Sequence, residues 1–334
     1  MKILVIAPSW VGDMVMAQSL FITLKQQYPN CQIDVVAPSW TLALTQVMPE
    51  VSLGFVMSAK RGKLGLMERI KLGKSLRQYH YDQAILLPNT WKSALIPFFA
   101  NIPKRTGYIG ECRWGLLNDI RSLDKNVLTK TVQRFVALAA PSTVNSLPIC
   151  PTPVFKINPD RQQHIIQQYH LPENQKILAL CAGAEYGVAK RWPVSHYAQV
   201  ARDKLNEGWQ VWLFGSAKDQ AVAAEINQLT DNRCVDFSGK TSITEAVDLL
   251  SLADVIVSND SGLMHVASAL NKNLIAIYGS SDPNFTPPLS DKAKILYLGL
   301  SCSPCFKREC PLGHTRCLTD ITADHVIAQL NQLD

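Results

Sequence analysis

Residues Lys2 to Asp13 read KILVIAPSWVGD, and this stretch decides the fold. Its apolar run is short, is broken by Gly12 and Asp13, and lacks a small-residue cleavage site, so it does not resemble a secretory signal. The run instead predicts a buried strand, Gly12 permits a tight turn, and Asp13 stands where a helix begins. Strand, loop and helix in this order form the repeating unit of a parallel α/β sheet.

Six further apolar runs are each followed by residues with helical periodicity, which predicts parallel sheets covered on both faces. The runs are Gln32–Ala37, Gln83–Leu87, Lys176–Ala182, Gln210–Phe214, Asp254–Ser258 and Leu274–Tyr278. The segment Pro141–Pro159 contains five prolines and no helical period, which indicates a linker. We therefore expect two Rossmann-like α/β domains, 1–155 and 156–334, facing each other across a cleft. A last helix over Ile321–Leu333 is able to pack back on the first domain.

The chain has 334 residues, of which 47% are hydrophobic and 18% charged, as in a globular protein. The longest membrane-like stretch, Ser93–Ile102, covers about half a bilayer and contains Pro97, so we expect a soluble protein that is able to touch a membrane. The net charge of +6 is concentrated between Ser58 and Gln78, where a single acid, Glu68, accompanies seven basic residues. A polyanionic partner is one interpretation and a solvated helix face is the other. The seven are Lys60, Arg61, Lys63, Arg69, Lys71, Lys74 and Arg77.

Loops that follow strands line the ligand site of such a fold. The loop before Asp13 has one glycine and no G-x-G-x-x-G pattern, so hydride transfer on a dinucleotide is a weak reading. Asp13 is placed either to cap a helix or to accept a proton from an attacking hydroxyl. A catalytic base at this position would make the loop part of an active site.

Two loops of the second half suit an anion. Gly183–Pro193 brings Lys190 and Arg191 to the start of a helix, where a cation is unfavourable unless an anion lies beside it. Ser258–His265 offers backbone N–H donors, and Asp260 is expected to face sugar hydroxyls while the following amides take a phosphate. For His265 a buried structural role is the alternative. Two further turns, Gly215–Asp219 and Ser238–Thr241, are able to complete a nucleotide pocket.

Four of the nine cysteines crowd near the end of the chain, around His314. The other five are scattered, as is typical of reduced buried thiols in a cytosolic protein. The crowded four supply enough ligands for a small zinc site, but their spacing fits no common template, so a metal-free loop is the preferred reading. They are Cys302, Cys305, Cys310 and Cys317.

Several stretches together resemble the ADP-heptose:lipopolysaccharide heptosyltransferases of glycosyltransferase family 9, and the resemblance covers nearly the whole chain. The family is implied by SWVGDMVMAQ, LLPNTWKSALIPFF, IPKRTGY, GAEYGVAKRWP, SNDSGLMHVASAL and CSPCFKRECPLGH. It implies the GT-B architecture, with the acceptor on the first domain and the nucleotide sugar on the second. It also implies inverting transfer from ADP-L-glycero-D-manno-heptose without a metal or other cofactor.

The resemblance places the catalytic base on Asp13, the phosphate-binding lysine on Lys190, and a donor-sugar aspartate on Asp260. Enzymes that add the first heptose have paired threonines where this chain has Ala184-Glu185, which favours addition of the second heptose to an acceptor of lipid A, Kdo and one heptose. The full predicted donor site is Gly183, Glu185, Lys190, Ser216, Asp260, Ser261, Gly262 and His265.

The implied acceptor is anionic and anchored in the inner leaflet of the inner membrane, so we expect a cytoplasmic, peripheral enzyme that binds no nucleic acid. The predicted acceptor and lipid surface is Lys60, Arg61, Lys63, Lys92 and Arg105, with Lys104 and Arg113 beside them. Three alternatives remain at this point: a sibling heptosyltransferase with another acceptor, a nucleotide-sugar epimerase, and a polyanion-binding module without activity.

Overall fold

The computed structural model describes residues 1–58, 64–143, 146–172 and 174–333. The chain forms two compact units, Met1–Lys156 and Ile157–Asp334. The division falls within the proline-containing segment Pro141–Pro159. Among the described helices, none is both long and apolar enough to span a bilayer.

The first unit is built on a six-stranded parallel sheet with the order β3-β2-β1-β4-β5-β6. Its strands are β1 (Lys2–Ile6), β2 (Gln32–Ala37), β3 (Val51–Val56), β4 (Gln83–Leu86), β5 (Lys104–Tyr108) and β6 (Asp119–Arg121). Its helices are α1 (Val11–Gln27), α2 (Ser39–Leu42), α3 (Leu66–Leu76), α4 (Trp91–Phe99) and α5 (Thr131–Val136).

The second unit has a parallel sheet with the order β12-β11-β10-β7-β8-β9. Its strands are β7 (Ile177–Cys181), β8 (Gln210–Leu213), β9 (Val235–Asp236), β10 (Val255–Asn259), β11 (Asn273–Ile277) and β12 (Ala293–Leu296). Its helices are α6 (Pro159–Gln168), α7 (Val194–Asn206), α8 (Gln220–Leu229), α9 (Ile243–Leu250), α10 (Gly262–Ala269), α11 (Arg316–Thr319) and α12 (Ala323–Leu330).

The two sheets share one topology. When the strands of each unit are counted from its own first strand, both follow the doubly wound order 3-2-1-4-5-6. The order reverses between β1 and β4 in the first unit and between β7 and β10 in the second. Ligands of open α/β sheets bind beyond the carboxyl ends of the strands at this reversal. The loops after these four strands are therefore where a site is expected.

Burial explains which strands the sequence reveals. The apolar residues of β1 and β7 are almost fully buried because helices cover both faces of each sheet. All seven strands expected from the sequence lie inside the sheets. Four of the five that it does not reveal, β3, β6, β9 and β12, are edge strands. The fifth, β5, is interior but polar, because Thr106 accepts a hydrogen bond from Gln83 (2.8 Å) and donates one to Asp119 (2.8 Å).

The last helix packs within the second unit. Val326 and Leu330 of α12 are buried in the core of that unit together with residues of α7. Lys204 of α7 donates a hydrogen bond to Asn331, just after α12 (2.7 Å). The expectation of a terminal helix is therefore met by α12, which contributes to the hydrophobic core of the second sheet.

Candidate active site

Asp13 lies in the first turn of α1, directly after the loop that follows β1. The N-cap residue, Trp10, has an extended backbone and its side chain caps no N–H group of the helix. A carboxylate in the first turn interacts favourably with the helix dipole. Asp13 is half-buried, so it is held near the carboxyl edge of the first sheet while part of it stays open to solvent.

Side chains of α2 hold the loop that precedes Asp13. The indole N–H of Trp40 donates to the carbonyl of Ser9 (2.9 Å), and the hydroxyl of Thr41 donates to the carbonyl of Pro8 (3.3 Å). Trp40 is nevertheless 45% exposed. Two side-chain hydrogen bonds thus hold the main chain on which Asp13 depends, and sequence patterns gave no sign of them.

The loop after β4 is organised by Arg113, which is buried. Its guanidinium donates to the carbonyl oxygens of Pro88 (2.9 Å) and Tyr108 and to the side chain of Asn89 (3.3 Å). Burial lowers the pKa of this group. The prediction that Arg113 adds to a charged surface is wrong, because its donors tie the loops after β4 and β5 together.

Only some of the basic residues predicted to form an acceptor surface are free to act at the surface of the fold. The guanidinium of Arg105 donates to the carbonyls of Ile102 (2.7 Å) and Leu116 (2.6 Å), and burial lowers its pKa. It is thus occupied within the fold, and Lys104 pairs with Asp119 (3.5 Å). Lys92 is half-buried. The predicted acceptor residues Lys60, Arg61 and Lys63 lie outside the described residues.

The described part of the basic segment does not form one solvated face either. Arg69 is buried, its guanidinium donates to the carbonyl of Leu64 (2.8 Å), and burial lowers its pKa. Lys71 and Lys74 are exposed on α3. The segment therefore combines an internal arginine that fixes the start of α3 with lysines that face solvent.

Lys190 and Asp260 form an ion pair at the carboxyl edge of the second sheet. Lys190 ends a short 3-10 turn, Val188–Lys190, in the loop after β7, and Asp260 follows β10. Their side chains are 18% and 5% exposed, so the pair is largely shielded from water. The sequence assigned these residues separately to phosphate and sugar, whereas the structure brings them together at the strand-order reversal.

Asn259 holds the two loops in register. Its carboxamide oxygen accepts hydrogen bonds from the Trp192 backbone (3.0 Å) and from the Tyr197 hydroxyl (3.1 Å), and its amide donates to the Ala182 carbonyl (2.7 Å). The side chain is completely buried. It therefore fixes the loop that carries Lys190 relative to Asp260. Its position next to Asp260 at a strand end was the available signal, but a single polar residue there does not reveal its partners.

Helix α10 begins at Gly262, two residues after Asp260. Ser261 is its N-cap residue but makes no side-chain cap, and Gly262 is its first residue, so the first N–H groups remain available to an anion. His265, one turn into α10, is buried, and burial lowers its pKa to about 4. The histidine is therefore neutral at pH 7 and contributes no positive charge.

The loops after β7 and β8 meet at Asp219. Its carboxylate accepts hydrogen bonds from the backbone (3.0 Å) and hydroxyl (2.7 Å) of Ser216. A Cβ on Gly183 would lie 2.4 Å from the carboxyl carbon of Asp219, so glycine is needed for this approach. Glu185 instead pairs with Lys218 at the surface (2.7 Å). Of the predicted donor residues, Gly183 and Ser216 thus converge on a carboxylate that the sequence did not single out.

Several buried polar atoms at this edge have no hydrogen-bond partner among the described residues. One is Oδ1 of Asp219, and the others are the hydroxyls of Ser238, Ser280 and Ser281 and Nε of Arg191. Buried polar groups are rarely left unpaired in native proteins. The five residues that carry these atoms follow β7, β8, β9 and β11, so this edge presents donors and acceptors suited to a polar ligand.

The four crowded cysteines are described, and none is in a disulfide. Within the described ranges, no three His, Cys, Asp or Glu side chains are arranged to hold a metal ion. The zinc site that the sequence left open thus gains no support from the structure. The expectation of catalysis without a metal stays a prediction.

Comparison with known proteins identifies the same family across both units. The sequence profile of glycosyltransferase family 9 (heptosyltransferase) matches residues 69–316. Lipopolysaccharide heptosyltransferase 2 of Escherichia coli K12 is 46% identical over 100% of this chain and 98% of its own length. Lipooligosaccharide heptosyltransferase 2 of Haemophilus ducreyi is 47% identical over 100% and 99%. The solved structure of E. coli ADP-heptose lps heptosyltransferase II superposes with a TM-score of 0.88 at 44% identity, covering 100% of this chain and 98% of that one.

Proposed function

The chain belongs to glycosyltransferase family 9, the heptosyltransferases, and from this premise we propose that it moves L-glycero-D-manno-heptose from ADP-heptose to the first heptose of the lipopolysaccharide inner core. The observation that carries the proposal is the full-length similarity to enzymes named heptosyltransferase 2. The fold, two parallel sheets of one topology, is that of the solved relative. The acceptor hydroxyl then requires a base, and the donor diphosphate requires positive charge and N–H donors. We assign the base to the edge of the first sheet and the anion site to the edge of the second.

The proposed reaction is a single displacement. The acceptor hydroxyl attacks the anomeric carbon of the donor as the bond to the diphosphate breaks, through an oxocarbenium-like state. Asp13 accepts the hydroxyl proton, and ADP leaves with the electron pair of the broken bond. The position of Asp13 in the first turn of α1 supports this role, because its side chain is half-buried and part of it is accessible from solvent. A positioned base contributes about 10²–10⁴-fold to such a step.

Charge that grows on the leaving diphosphate needs donors that are already in place. Lys190 and the first N–H groups of α10 supply them. Asp260 holds Lys190 until the phosphate takes its place, and the carboxylate is then available to sugar hydroxyls. This exchange reconciles the observed ion pair with the two separate roles expected from the sequence.

The nucleoside fits the side of the edge formed by β7, β8 and β9. An acidic residue after the second strand of a Rossmann fold commonly binds ribose hydroxyls. Asp219 follows β8, and its buried Oδ1 accepts no hydrogen bond from the described residues, while the guanidinium of Arg191 lies 3.6 Å from it. We assign the ribose to Asp219, with the hydroxyl of Ser238 as a nearby second group.

The acceptor is expected to approach the first unit at the cytoplasmic face of the inner membrane. Exposed lysines of α3, together with Lys60, Arg61, Lys63 and Lys92, would interact with acceptor phosphates and anionic lipid. Such residues contribute about 1 kcal/mol each near an anionic leaflet. Arg105 and Arg113 are omitted from this surface because the fold uses their donors.

The test is incubation of the purified chain with ADP-heptose and two defined acceptors, followed by mass analysis. One acceptor ends in Kdo and the other carries one heptose. The proposal expects one added heptosyl residue on the second acceptor alone. Addition to the Kdo-terminated acceptor would indicate the sibling activity, conversion of the donor without acceptor would indicate an epimerase, and no turnover would leave only a binding module.

A further inference from the structure

The segment Cys302–Cys317, called here the thiol-rich segment, lies across the carboxyl edge of the second sheet. The backbone N–H of Phe306 donates to the carbonyl of Ser280, after β11 (2.7 Å). The carbonyl of Phe306 accepts from the hydroxyl of Tyr186, in the loop after β7 (2.8 Å). Because β10 lies between β11 and β7, the segment spans the end of β10, where Asp260 is found.

The segment is packed directly on the loop that carries Lys190. The backbone N–H of Ala189 donates to the carbonyl of Arg308 (3.0 Å). A Cβ on Gly187 would lie 2.4 Å from that carbonyl oxygen and 2.8 Å from the Cα of Arg308. Any side chain at Gly187 would therefore displace the backbone of Arg308. The close approach fixes the backbone of Arg308 against Gly187 and Ala189, which directly precede Lys190 in its loop.

Arg308 and Lys190 share one aromatic ring. The guanidinium carbon of Arg308 lies 5.6 Å from the ring centroid of Tyr186, and the Lys190 ammonium lies 5.1 Å from it. Both distances are within the range of a cation–π interaction. Arg308 is exposed, so the N–H groups of its guanidinium are accessible to a ligand at this edge of the second sheet.

The charges at this edge are otherwise balanced. Lys190 pairs with Asp260, Arg191 lies 3.6 Å from Asp219, and Lys218 lies 2.7 Å from Glu185. His265 is neutral because burial lowers its pKa to about 4. In the described part of the chain, Arg308 has no carboxylate within ion-pair distance. Even when Lys190 passes from Asp260 to the phosphate, one ammonium group offsets only part of the negative charge that grows on a leaving diphosphate.

We propose that Arg308 is a second cation for the donor diphosphate, presented by the thiol-rich segment beside Lys190. The inference rests on the proposed function, since it names a further residue of the same donor site. The planar guanidinium is suited to two parallel hydrogen bonds with phosphate oxygens, which an ammonium group does not provide. The thiol-rich segment thereby acquires a role that requires no metal ligand.

The test compares Arg308→Gln with Lys307→Gln in the full chain. Both variants remove one exposed positive charge from neighbouring positions, so bulk electrostatics change equally. The dissociation constants of ADP and of adenosine are measured for each by calorimetry or competition. We expect Arg308→Gln to weaken ADP binding about tenfold, as for the loss of a charged hydrogen bond at an exposed position. Adenosine binding should stay unchanged, Lys307→Gln should match the wild type, and Arg308→Lys should recover part of the loss.

Equal ADP affinity in Arg308→Gln and Lys307→Gln would overturn the inference. A parallel loss of ADP and adenosine binding would overturn it as well, because Arg308 would then support the fold or the nucleoside. The proposed function fails separately, through wild-type protein that binds ADP but transfers no heptose. The two failures are therefore distinguishable in the same set of measurements.

Discussion

The carboxyl edges of the two sheets have the same strand order and different contents. At the first edge, a single half-buried carboxylate, Asp13, follows β1, and the surrounding loops are tied by Trp40 and Arg113 to main-chain carbonyls. At the second edge, Lys190 and Asp260 form an ion pair, and several buried polar atoms make no hydrogen bond to the described residues. In the proposed function, the first edge accepts a proton and the second edge holds an anion.

The comparison teaches that function here depends on the loops and not on the sheet. The same doubly wound order supports both edges, and the fold alone does not distinguish them. What differs is the residue after each strand end and the groups that fix it. Substitutions at the two edges should therefore have separable effects on turnover and on donor binding.

The largest effect is expected from Asp13→Asn, which keeps the shape of the side chain and removes the base. We expect kcat to fall by about 10²–10⁴-fold while ADP-heptose affinity stays unchanged. Steady-state kinetics and calorimetric donor binding check this. Glu68→Gln is the matched control, since Glu68 is a first-turn carboxylate of α3 in the same unit. A kcat that survives Asp13→Asn would end the assignment of a base to the first edge.

Lys190→Met should produce the next largest effect. Removal of one preorganised donor to a developing negative charge costs about 10²–10³-fold in rate. The expected fall is in kcat/KM for ADP-heptose, with weaker ADP binding. Lys218→Met is the control, because Lys218 also pairs with a carboxylate at this edge but is exposed. Equal losses in the two variants would show that loss of charge in general, not the position of Lys190, matters.

His265 should make stability depend on pH. Burial lowers its pKa from 6.5 to about 4, so the unfolded chain takes up this proton at a higher pH than the folded chain. The stabilisation is complete above pH 6.5 and is lost as the pH falls towards 4. Over this window the wild type should lose up to about 3 kcal/mol more unfolding free energy than His265→Asn. Urea unfolding at several pH values measures the difference.

The control for that experiment is His164→Asn, since His164 is exposed on α6. If the stability of His265→Asn depended on pH in the same way as that of the wild type, His265 would gain its proton at the same pH in the folded and the unfolded chain. The assignment of a lowered pKa to His265 would then be wrong.

The smallest effect is expected from Trp40→Phe at the first edge. The change keeps an aromatic ring and removes the hydrogen bond to the Ser9 carbonyl, which is worth about 1 kcal/mol. We expect kcat to fall about fivefold with the donor KM unchanged. Trp114→Phe is the control, because Trp114 is 66% exposed. A change in the KM for ADP-heptose would contradict this prediction, because it would show that Trp40 affects donor binding at the second edge.

All interior strands except the polar β5, and the loops at their ends, could be predicted from the sequence, because burial on both faces imposes continuous apolar runs. The edge strands could not, since one side faces solvent and their residues, as in β3, are mixed. The family resemblance identified Asp13, Lys190 and Asp260 as candidates. The pairing of Lys190 with Asp260 was not readable, because it depends on how far the loops after β7 and β10 approach each other.

Buried arginines were the clearest failure of the charge pattern. Arg69 and Arg113 look like surface cations in the sequence, yet each is buried with its donors on main-chain carbonyls. A guanidinium has several donors and can replace missing backbone hydrogen bonds in loops. No periodicity marks such a residue. Asn259 and Asp219 escaped notice because they contact loops that are distant in sequence: Asn259 accepts a hydrogen bond from the Trp192 backbone, and Asp219 lies 3.6 Å from Arg191.

The most direct test of the division between the edges is hydrogen–deuterium exchange of the full chain with and without saturating ADP. The account predicts slower exchange in the loops after β7, β8 and β10, namely residues 183–191, 215–219 and 260–265, and no change at residues 8–13. Protection of residues 8–13 by ADP, with the loops of the second sheet unchanged, would contradict it.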